Sequence, residues 1–324
     1  MILILSIYGD YSTTRICSWL NYYNKPFLRV NGDKNTVFFE KMDYEKKEMI
    51  FSEGGQEYNF FECQSVWYRK CGIRLINFRT NYDVMDSDFF SEKGTVLSEL
   101  VQNENKTLSS YIHTVLERKK HIGKKYNVVP NKLAVLDQAK HFGLDIPESY
   151  VLTKKNSLKD LLIEKGNLIT KALGDGIYEF FEDNAYYSYT EMVSLSDLDN
   201  YPPIFSPTLF QTLIQKEYEL RIFFFDERYY PMVIFSQENE ETKVDSRKES
   251  EGQYSRNIPF NLPQKIEDKL RLLMKKLDLN TGSIDIIVDE NDKYIFLEVN
   301  PVGQFSMVSD PCNYYLEKEI AVYL

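Results

Sequence analysis

The pattern of hydrophobic and polar positions is clearest near the end of the chain. Two runs rich in Ile, Val, Leu, Tyr and Phe lie within 283–304 and flank the polar stretch 289–293, which is typical of a β-hairpin. A two-residue turn at Asn291 and Asp292 would set the pairing of the two strands. One face of the hairpin would then be apolar and turned to a core, with Ile284, Ile286 and Val288 opposite Val299, Leu297 and Ile295.

The other face of this predicted hairpin carries acidic side chains. The assumed turn puts Asp285 directly opposite Glu298, and Asn300 follows on the same face. Opposed side chains on such a pair are roughly 5 Å apart at Cβ, where like charges repel. A bound cation would remove the repulsion, and carboxylate and amide oxygens are ligands that suit Mg²⁺. The alternative, a surface hairpin with two ordinary solvated acids, stays open at this point.

The first residues predict a parallel βαβ unit. An apolar run at 1–7 indicates a buried strand, the spacing over 12–24 indicates a helix capped by Ser12, and 27–30 returns as a strand. Such a unit is expected to be right-handed. The loop after the first strand lacks the G-x-G-x-x-G pattern of dinucleotide sites.

The next part of the chain is mixed. Short strands are predicted at 36–62, and the segment 86–125 is polar, broadly helical and ends in a basic stretch that resembles a solvated connector. Arg69 and Arg74 lie between them. They could bind an acidic ligand, and paired surface charges are the alternative.

The middle of the chain alternates helical and strand patterns. A helix is predicted at 131–141, and a domain boundary is expected just before it. Strands are predicted at 150–152 and 167–172, separated by a helix at 157–165.

The second of these strands ends in a lysine that precedes a glycine loop. Lys171 precedes Gly174 by three residues, and Gly176 follows. Glycine backbone beside an ammonium group suits a phosphate lid. A plain tight turn is the alternative reading of the same residues.

Charged residues then appear at the ends of apolar strands. The runs 209–214 and 220–225 indicate buried strands, and Lys216, Glu219 and Arg221 lie between or within them. Charges at the ends of buried strands must be paired or bound to a ligand.

A long polar stretch follows at 238–257 and is predicted to be a solvated loop. Within it, Asp245, Arg247 and Arg256 are candidates for substrate contacts, although surface ion pairs explain them equally well. An amphipathic helix is predicted at 263–278, leading into the hairpin.

Composition narrows the class of protein. With 324 residues, 43% of them hydrophobic, the chain can bury a sizeable core. The net charge of -10 argues against binding nucleic acid or an anionic membrane. The 4 cysteines form no CxxC pair, so neither a zinc site nor a disulfide framework is indicated and a reducing cytoplasm is expected. The apolar start is too short for a signal peptide or a membrane span.

The order of these signals is not arbitrary, and the chain resembles the ATP-grasp superfamily. More closely, it resembles the graspetide synthetases, which include the microviridin-type ligases and the grasp-with-spasm peptide maturases. The resemblance runs nearly from end to end, and it is carried by S-V-W-Y-R, N-K-L, E-L-R, V-D-S-R followed by N-I-P-F-N-L-P, and L-E-V-N-P-V-G-Q-F.

The resemblance implies a mixed α/β (α+β) architecture with the ATP-grasp fold. An N-terminal pre-ATP-grasp domain of the βαβ type is expected at 1–125, a central domain with the glycine loop at 126–205, and a C-terminal ATP-grasp domain at 206–324. ATP would be held between two sheets.

The resemblance also implies a set of ligands for ATP and Mg²⁺. Two lysines would hold the phosphates, an amide and nearby backbone would meet the adenine edge, a carboxylate would lie by the ribose, and three oxygen donors would hold one or two Mg²⁺ ions. The phosphates would be held by Lys132 and Lys171, and the adenine edge would be met by Gln211 to Ile214. Glu219 would lie by the ribose, and Mg²⁺ would be held by Asp285, Glu298 and Asn300.

The activity implied by the resemblance joins side chains within a ribosomal precursor peptide that carries a leader. ATP phosphorylates a Glu or Asp carboxylate, and a Ser or Thr hydroxyl or a Lys amine attacks the acyl phosphate to give an ester or amide. Arg221 and Arg247 would neutralise charge, and Arg247 with Arg256 would bind the acceptor carboxylate. Asp245 would orient Arg247 or act as a base.

One position departs from the wider superfamily. Many ATP-grasp ligases have an arginine two residues before the first metal-binding aspartate, where this chain has Ser283. The cation for the transition state is therefore expected from Arg221 or Arg247.

The alternative function is an ATP-grasp ligase that adds an amino acid or peptide to another protein or to a small-molecule carboxylate. Relatives suggest a homodimer.

Overall fold

The computed structural model describes the chain except residues 35, 71–72, 74–92, 126–130, 175, 177, 182–183, 188 and 237–254. Two compact units are present: Met1–Val128 with Tyr315–Leu324, and Val129–Tyr314. The division into three domains expected from the sequence stays a prediction. None of the described helices combines the length and apolarity that a bilayer crossing requires.

The first unit begins with the predicted βαβ arrangement. Strand β1 (Ile2–Ser6) is followed by α1 (Tyr11–Tyr22) and by β2 (Phe27–Asn31), and the two strands pair in parallel. All of β1 is buried, as expected for the central strand of a parallel sheet. The residue at the N-cap of α1 is Asp10, so the prediction that Ser12 caps this helix is wrong.

A small antiparallel sheet follows, as predicted for 36–62. Its strands are β3 (Val37–Asp43), β4 (Glu48–Glu53) and β5 (Gln56–Asn59). The turn between the last two strands uses Gly54 and Gly55, whose φ angles of 58° and 82° lie in the left-handed region that glycine adopts readily.

The parallel sheet is completed by two later strands. The elements are β6 (Ser65–Tyr68), α2 (Lys93–Leu116) and β7 (Lys120–Ile122), and the strand order is β2-β1-β6-β7. The prediction of a solvated connector is wrong for β7, which pairs in parallel with β6. A strand of 3 residues is too short to show a period in the sequence.

The second unit contains a four-stranded sheet of order β12-β9-β13-β8. The predicted helices are confirmed as α3 and α4, and Asn131 caps α3 by accepting hydrogen bonds from the backbone of Leu133 and Ala134. The elements up to this sheet's last strand are α3 (Lys132–His141), β8 (Ser149–Lys154), α4 (Lys155–Lys165), β9 (Leu168–Lys171), β10 (Tyr178–Phe181), β11 (Asn184–Tyr187), β12 (Glu191–Val193) and β13 (Ile204–Thr212).

A five-stranded antiparallel sheet of order β16-β15-β14-β17-β18 forms the rest of this unit. One face packs on α5, whose Leu270, Leu273 and Met274 join a core with Ile284 and Ile286. The remaining elements are β14 (Lys216–Phe225), β15 (Arg228–Phe235), β16 (Arg256–Pro259), α5 (Gln264–Lys276), β17 (Thr281–Asp289), β18 (Tyr294–Asn300), α6 (Ser306–Cys312) and α7 (Leu316–Tyr323).

The last helix, α7, belongs to the first unit. It packs against α1, and Lys25 donates hydrogen bonds to the carbonyls of Ala321 and Val322 at 3.0 and 2.8 Å. Lys120 donates likewise to the carbonyl of Tyr323 at 2.6 Å. These ammonium groups satisfy carbonyls that the end of a helix leaves without partners.

Candidate active site

The acidic face of the C-terminal hairpin is present as predicted. Asp285 on β17 pairs with Glu298 on β18. Two residues further along β18, Asn300 pairs with Ser283. Cross-strand partners project to the same face of a sheet. The two carboxylates and the amide therefore lie side by side, on the face opposite the α5 core.

The hairpin reaches this register by a different turn from the one expected. The backbone N–H of Asp289 donates to the carbonyl of Lys293 at 3.1 Å, so the chain reverses through three residues, with Asp292 at a φ of 59°. A turn longer by one residue would put Leu297 opposite Asp285. A β-bulge between Asp285 and Ile286 leaves Leu297 without a partner and restores Glu298 to its place.

The bulge also changes the apolar face. Ile284 meets Val299 as predicted, but the expected partners of Ile286 and Val288 are wrong: they are Phe296 and Tyr294. The apolar surface is kept, because Phe296 is fully buried.

The next strand of the sheet places a cation beside the first carboxylate. Arg221 on β14 is the cross-strand neighbour of Asp285, and its Nη1 donates to both carboxylate oxygens. Arg221, Asp285 and Glu298 thus form one row across three strands. The Nε of Arg221 is buried and has no hydrogen-bond partner within the described part of the chain.

The two carboxylates have opposite electrostatic surroundings. Burial, together with the neighbouring Glu298, raises the pKa of Asp285 above its ordinary value, although Arg221 opposes the shift. Burial would raise the pKa of Glu298 as well, but Lys171 and Lys132 outweigh it and hold that pKa below its ordinary value. The row therefore favours additional positive charge next to Asp285.

Two lysines from outside the five-stranded sheet lie near the carboxylates of the hairpin. Lys171, the last residue of β9, places Nζ 3.5 Å from Oε2 of Glu298. Lys132, the first residue of α3, donates from Nζ to the carbonyl of Ala172 at 2.9 Å. Both predicted phosphate-binding lysines thus lie around the end of β9, on the side where the carboxylates are.

The residues expected at the base and the ribose lie on β13, just after it, and on β14. Gln211 near the end of β13 is 1% exposed, and its Nε2 donates to Oγ of Ser149 at 2.8 Å. Ile214, two residues beyond β13, is half-buried. Glu219 on β14 accepts hydrogen bonds through Oε1 from Lys216 and, at 2.9 Å, from Ser236.

Ser149 and Ser236 were not among the residues singled out from the sequence. Each orients a predicted ligand-binding side chain, Gln211 and Glu219 respectively. A serine in or beside a strand has no spacing signal of its own. Only the cross-strand pairing of Gln211 with Ser149 brings the first of these contacts about.

The segment after β18 closes one end of the site. Gly303 has a φ of 49°, and a Cβ there would lie 2.8 Å from the backbone nitrogen of Ser283. Ser283 is 1% exposed, and its Oγ donates to the carbonyl of Gln304 at 3.3 Å. The loop therefore encloses the side chain of Ser283, the position at which the resemblance would place an arginine.

Only one of the three predicted substrate contacts, Arg256, belongs to the described residues. Asp245 and Arg247 lie outside the described residues. Arg256, expected in a loop, is the exposed first residue of β16, and its guanidinium carbon lies 5.9 Å from the centroid of the Phe235 ring. Phe235 packs toward the α5 core, so Arg256 is on the face opposite the carboxylates.

Arg69 has a structural partner. It is 2% exposed, and its Nε donates to Oδ2 of Asp10 at 3.1 Å within the first unit. The surface ion pair considered from the sequence is therefore wrong for Arg69, which makes a buried one. Arg74 lies outside the described residues.

The donor set fits a hard divalent cation that is only partly held by protein. No group of three or more His, Cys, Asp or Glu side chains with metal-binding geometry occurs among the described residues. The available oxygens are the carboxylates of Asp285 and Glu298 and the amide of Asn300, whose Nδ2 lies 3.4 Å from Oε1 of Glu298. Mg²⁺ is commonly bound by one or two carboxylates, with waters and substrate phosphates completing its coordination.

The sequence matches no protein-family model and no curated protein. Among solved structures, the chain is similar to a RiPP-associated ATP-grasp ligase from Chryseobacterium gregarium in complex with ADP and a leader and core peptide, at 23% identity over 99% of this chain and 94% of that chain, with a TM-score of 0.78. It is also similar to the macrocyclase MdnC from Microcystis aeruginosa MRC, bound with the precursor peptide MdnA, at 28% identity over 100% and 98% of the chains, with a TM-score of 0.77.

A third similar structure is the ATP-grasp ligase PsnB, complexed with a phosphomimetic variant of a minimal precursor, Mg and ADP. The identity is 14% over 99% of this chain and 96% of that chain, and the TM-score is 0.68. These likenesses confirm the mixed α/β ATP-grasp fold and the predicted resemblance to the graspetide-type ligases.

Proposed function

We propose that this chain is an ATP-dependent ligase that activates Glu or Asp side chains of a ribosomal precursor peptide and joins them to Thr, Ser or Lys side chains of the same peptide. The observation that carries the proposal is the row Arg221, Asp285 and Glu298, with Lys171 at its end. The fold and the similarity to MdnC over the whole chain support it.

The chemistry needs no protein nucleophile. A substrate carboxylate oxygen attacks the γ-phosphorus of ATP and ADP leaves, giving an acyl phosphate. The hydroxyl or amine of the acceptor then attacks the acyl carbon, loses a proton, and expels inorganic phosphate. Catalysis of such steps rests on positioning and on neutralisation of charge, which the cations around the carboxylate pair can supply.

Nucleotide binding is assigned to the region of the second unit where Lys171 of the four-stranded sheet lies near Glu298 of the five-stranded sheet. Lys132 and Lys171 would bind phosphate oxygens, since an ammonium group has three donors and Lys171 directs only one of them to Glu298. Gln211 and the backbone near Ile214 would contact the base, and Glu219, held by Lys216 and Ser236, would accept from a ribose hydroxyl.

Asp285, Glu298 and Asn300 would hold Mg²⁺, which when bound supplies positive charge to the phosphate oxygens. Arg221 would stabilise the charge that develops as the phosphoryl group moves, because it is the cation closest to this pair on the same face. Its Nε, which has no partner in the described part of the chain, is a donor available for that purpose.

The contacts to the peptide are proposed from the resemblance. Arg247 would bind the acceptor carboxylate and contribute to charge neutralisation, with Asp245 orienting it or acting as a base. Binding of the acceptor carboxylate by Arg256 stays a prediction, and the position of its side chain over Phe235 does not favour it. We also propose a homodimer in the cytoplasm, with the three domains described above and a leader-bearing peptide as partner.

The test is incubation of the purified protein with ATP, Mg²⁺ and a short peptide rich in Thr and Glu, sought among the reading frames next to its own. Each ring formed releases one water, so mass spectrometry should show the peptide lighter by whole multiples of water, with matching ADP release. The Glu298→Gln variant should leave the peptide unchanged. A product heavier by an added amino acid would instead favour the alternative ligase, and ATP-independent change of the peptide would contradict the proposal.

A further inference from the structure

Gln211 occupies a defined place on the sheet that carries Lys171. It pairs with Ser149 on one side and with Ile169 on the other, and Leu209, two residues earlier, pairs with Lys171. Residues two apart on a strand project to the same face. Gln211 and Lys171 therefore share a face and lie one row apart, roughly 7 Å along the strands.

The hydrogen bonds around Gln211 run in one direction only. The Oγ of Ser149 donates to the carbonyl of Pro147 at 2.9 Å, and a carbonyl can only accept. A serine hydroxyl has a single proton, so its oxygen is left to accept from Gln211, 2.8 Å away. The atom of Gln211 that faces Ser149 must consequently be the amide nitrogen, which fixes the orientation of the amide group.

This orientation leaves the carbonyl oxygen of Gln211 as an unused acceptor. Oε1 is buried and has no hydrogen-bond partner among the residues that the structure describes. A buried acceptor without a donor is costly and calls for an explanation. A ligand that presents an N–H at this place would donate to Oε1 and remove the cost. A ligand that presents a carbonyl oxygen would place two acceptors against each other, which repel.

We infer that Ser149 is a positioning residue for nucleotide selection: it holds the Gln211 amide so that Oε1 accepts from the exocyclic amine of a 6-aminopurine and rejects a 6-ketopurine. The inference rests on the proposed function, because it requires a nucleotide on the face of Lys171. It deepens that proposal by assigning the choice between adenine and hypoxanthine or guanine to one hydrogen-bond chain, Pro147 to Ser149 to Gln211.

Binding of ATP and of ITP to the full-length protein provides the test, because ITP carries a keto oxygen where ATP carries the amine. Both are titrated with Mg²⁺ against a bound fluorescent ADP analogue. The wild-type protein should bind ATP about tenfold to hundredfold more tightly than ITP, the range expected when a buried polar group loses its partner. In Ser149→Ala the amide is free to turn, so the preference should fall to about threefold or less.

Two further variants separate positioning from a general loss of structure. Ser149→Thr keeps the hydroxyl and should restore the preference for ATP. Ser206→Ala removes an exposed serine of β13 and should leave the preference at the wild-type value. A merely structural role of Ser149 would weaken both nucleotides equally and would not respond to the restored hydroxyl.

The outcomes distinguish this inference from the proposed function. Nucleotide binding with an unchanged ATP preference in Ser149→Ala, or equal binding of ATP and ITP by the wild-type protein, would overturn the role of Ser149 and leave the ligase proposal standing. Failure of the wild-type protein to bind either nucleotide would overturn both.

Discussion

Two carboxylate and guanidinium pairs, Asp10 with Arg69 and Asp285 with Arg221, use the same chemical groups in different surroundings. Asp10 is 6% exposed and Arg69 is 2% exposed. Oδ2 of Asp10 accepts from Arg69 at 3.1 Å and from Thr13 at 2.7 Å. Although burial would raise the pKa of Asp10, Arg69, Thr13 and Lys70 outweigh it and hold that pKa below its ordinary value.

The second pair is not balanced in this way. Asp285 has Glu298 as its cross-strand partner, and its pKa is raised by burial and by that second carboxylate in spite of Arg221. The side chains of Arg221 and Asp285 are 18% and 22% exposed. The first pair is thus complete without a ligand and serves the fold, whereas the second is arranged to accept more positive charge.

The largest difference should appear in activity. Asp285→Asn is expected to lower the rate of ligation by a factor on the order of 10³, because it removes a charge that is needed for phosphoryl transfer. Its free energy of unfolding should change by less than about 1 kcal/mol, since burial and Glu298 raise the pKa of Asp285 and its charged form therefore adds little net stability. Peptide mass spectrometry and urea unfolding measure the two effects. Retained ligation would remove Asp285 from the site.

The matching change in the first pair should act on stability. Asp10→Asn removes the negative charge that accepts from Nε of the buried Arg69, so we expect a loss of about 3–5 kcal/mol in the free energy of unfolding. ADP binding should persist at temperatures where the variant is folded. The double variant Asp10→Asn with Arg69→Met should recover part of the loss, and a single variant as stable as the wild type would contradict the structural role.

The two aspartates should also respond to pH with opposite signs. The folded pKa of Asp10 is lowered, so its contribution to stability is present above about pH 4 and is lost as the pH falls through the folded pKa. The folded pKa of Asp285 is raised, so its contribution decreases as the pH rises above about 4. Urea unfolding across this range should show a flatter acid limb for Asp10→Asn than for Asp285→Asn.

A smaller effect is expected where the loop after β18 touches the strand that carries Asp285. Gly303→Ala should cost about 3 kcal/mol, from a left-handed φ and from the clash with the backbone of Ser283. Gly54 has a φ of 58°, and no atom lies within 4 Å of the place that a Cβ would take there, so Gly54→Ala should cost only about 1 kcal/mol. Equal losses in thermal unfolding would show that the contact with Ser283 is not tight.

The smallest expected effect concerns the cation at the end of the row. Lys171→Met removes the ammonium group 3.5 Å from Glu298, so Mn²⁺ should bind about tenfold more tightly in the absence of nucleotide. Electron paramagnetic resonance of free Mn²⁺ measures this affinity. Lys154→Met, an exposed lysine of β8, is the control and should bind as the wild type does. An unchanged affinity for Lys171→Met would mean that Lys171 does not compete with the metal.

The sequence predicted the two faces of the C-terminal hairpin because side chains alternate with a period of two residues. It predicted Asp285 opposite Glu298 from a two-residue turn and an unbroken register. In the structure the turn is one residue longer, and the bulge at Leu297 offsets that extra residue, so the same pair is formed. Neither is encoded by periodicity, because both depend on the local backbone at Asp292 and Leu297.

Long-range contacts account for the other differences. The burial of Arg69 and the strand at 120–122 depend on neighbours in the parallel sheet that are distant along the chain. Arg256 was placed with the substrate by resemblance, and the register of β16 turns it to the other face. The roles of Asp245 and Arg247 rest on the polar stretch that contains them and on the resemblance.

The central claim is that Asp285 and Glu298 form a metal site that works together with a nucleotide. Thermal unfolding of the wild-type protein and of Glu298→Gln, each with ADP alone, Mg²⁺ alone, and both together, tests it most directly. The account predicts that the wild-type protein is stabilised more by ADP with Mg²⁺ than by either one, and that Glu298→Gln loses this additional part while keeping the effect of ADP. Equal stabilisation of both proteins by ADP with Mg²⁺ would contradict it.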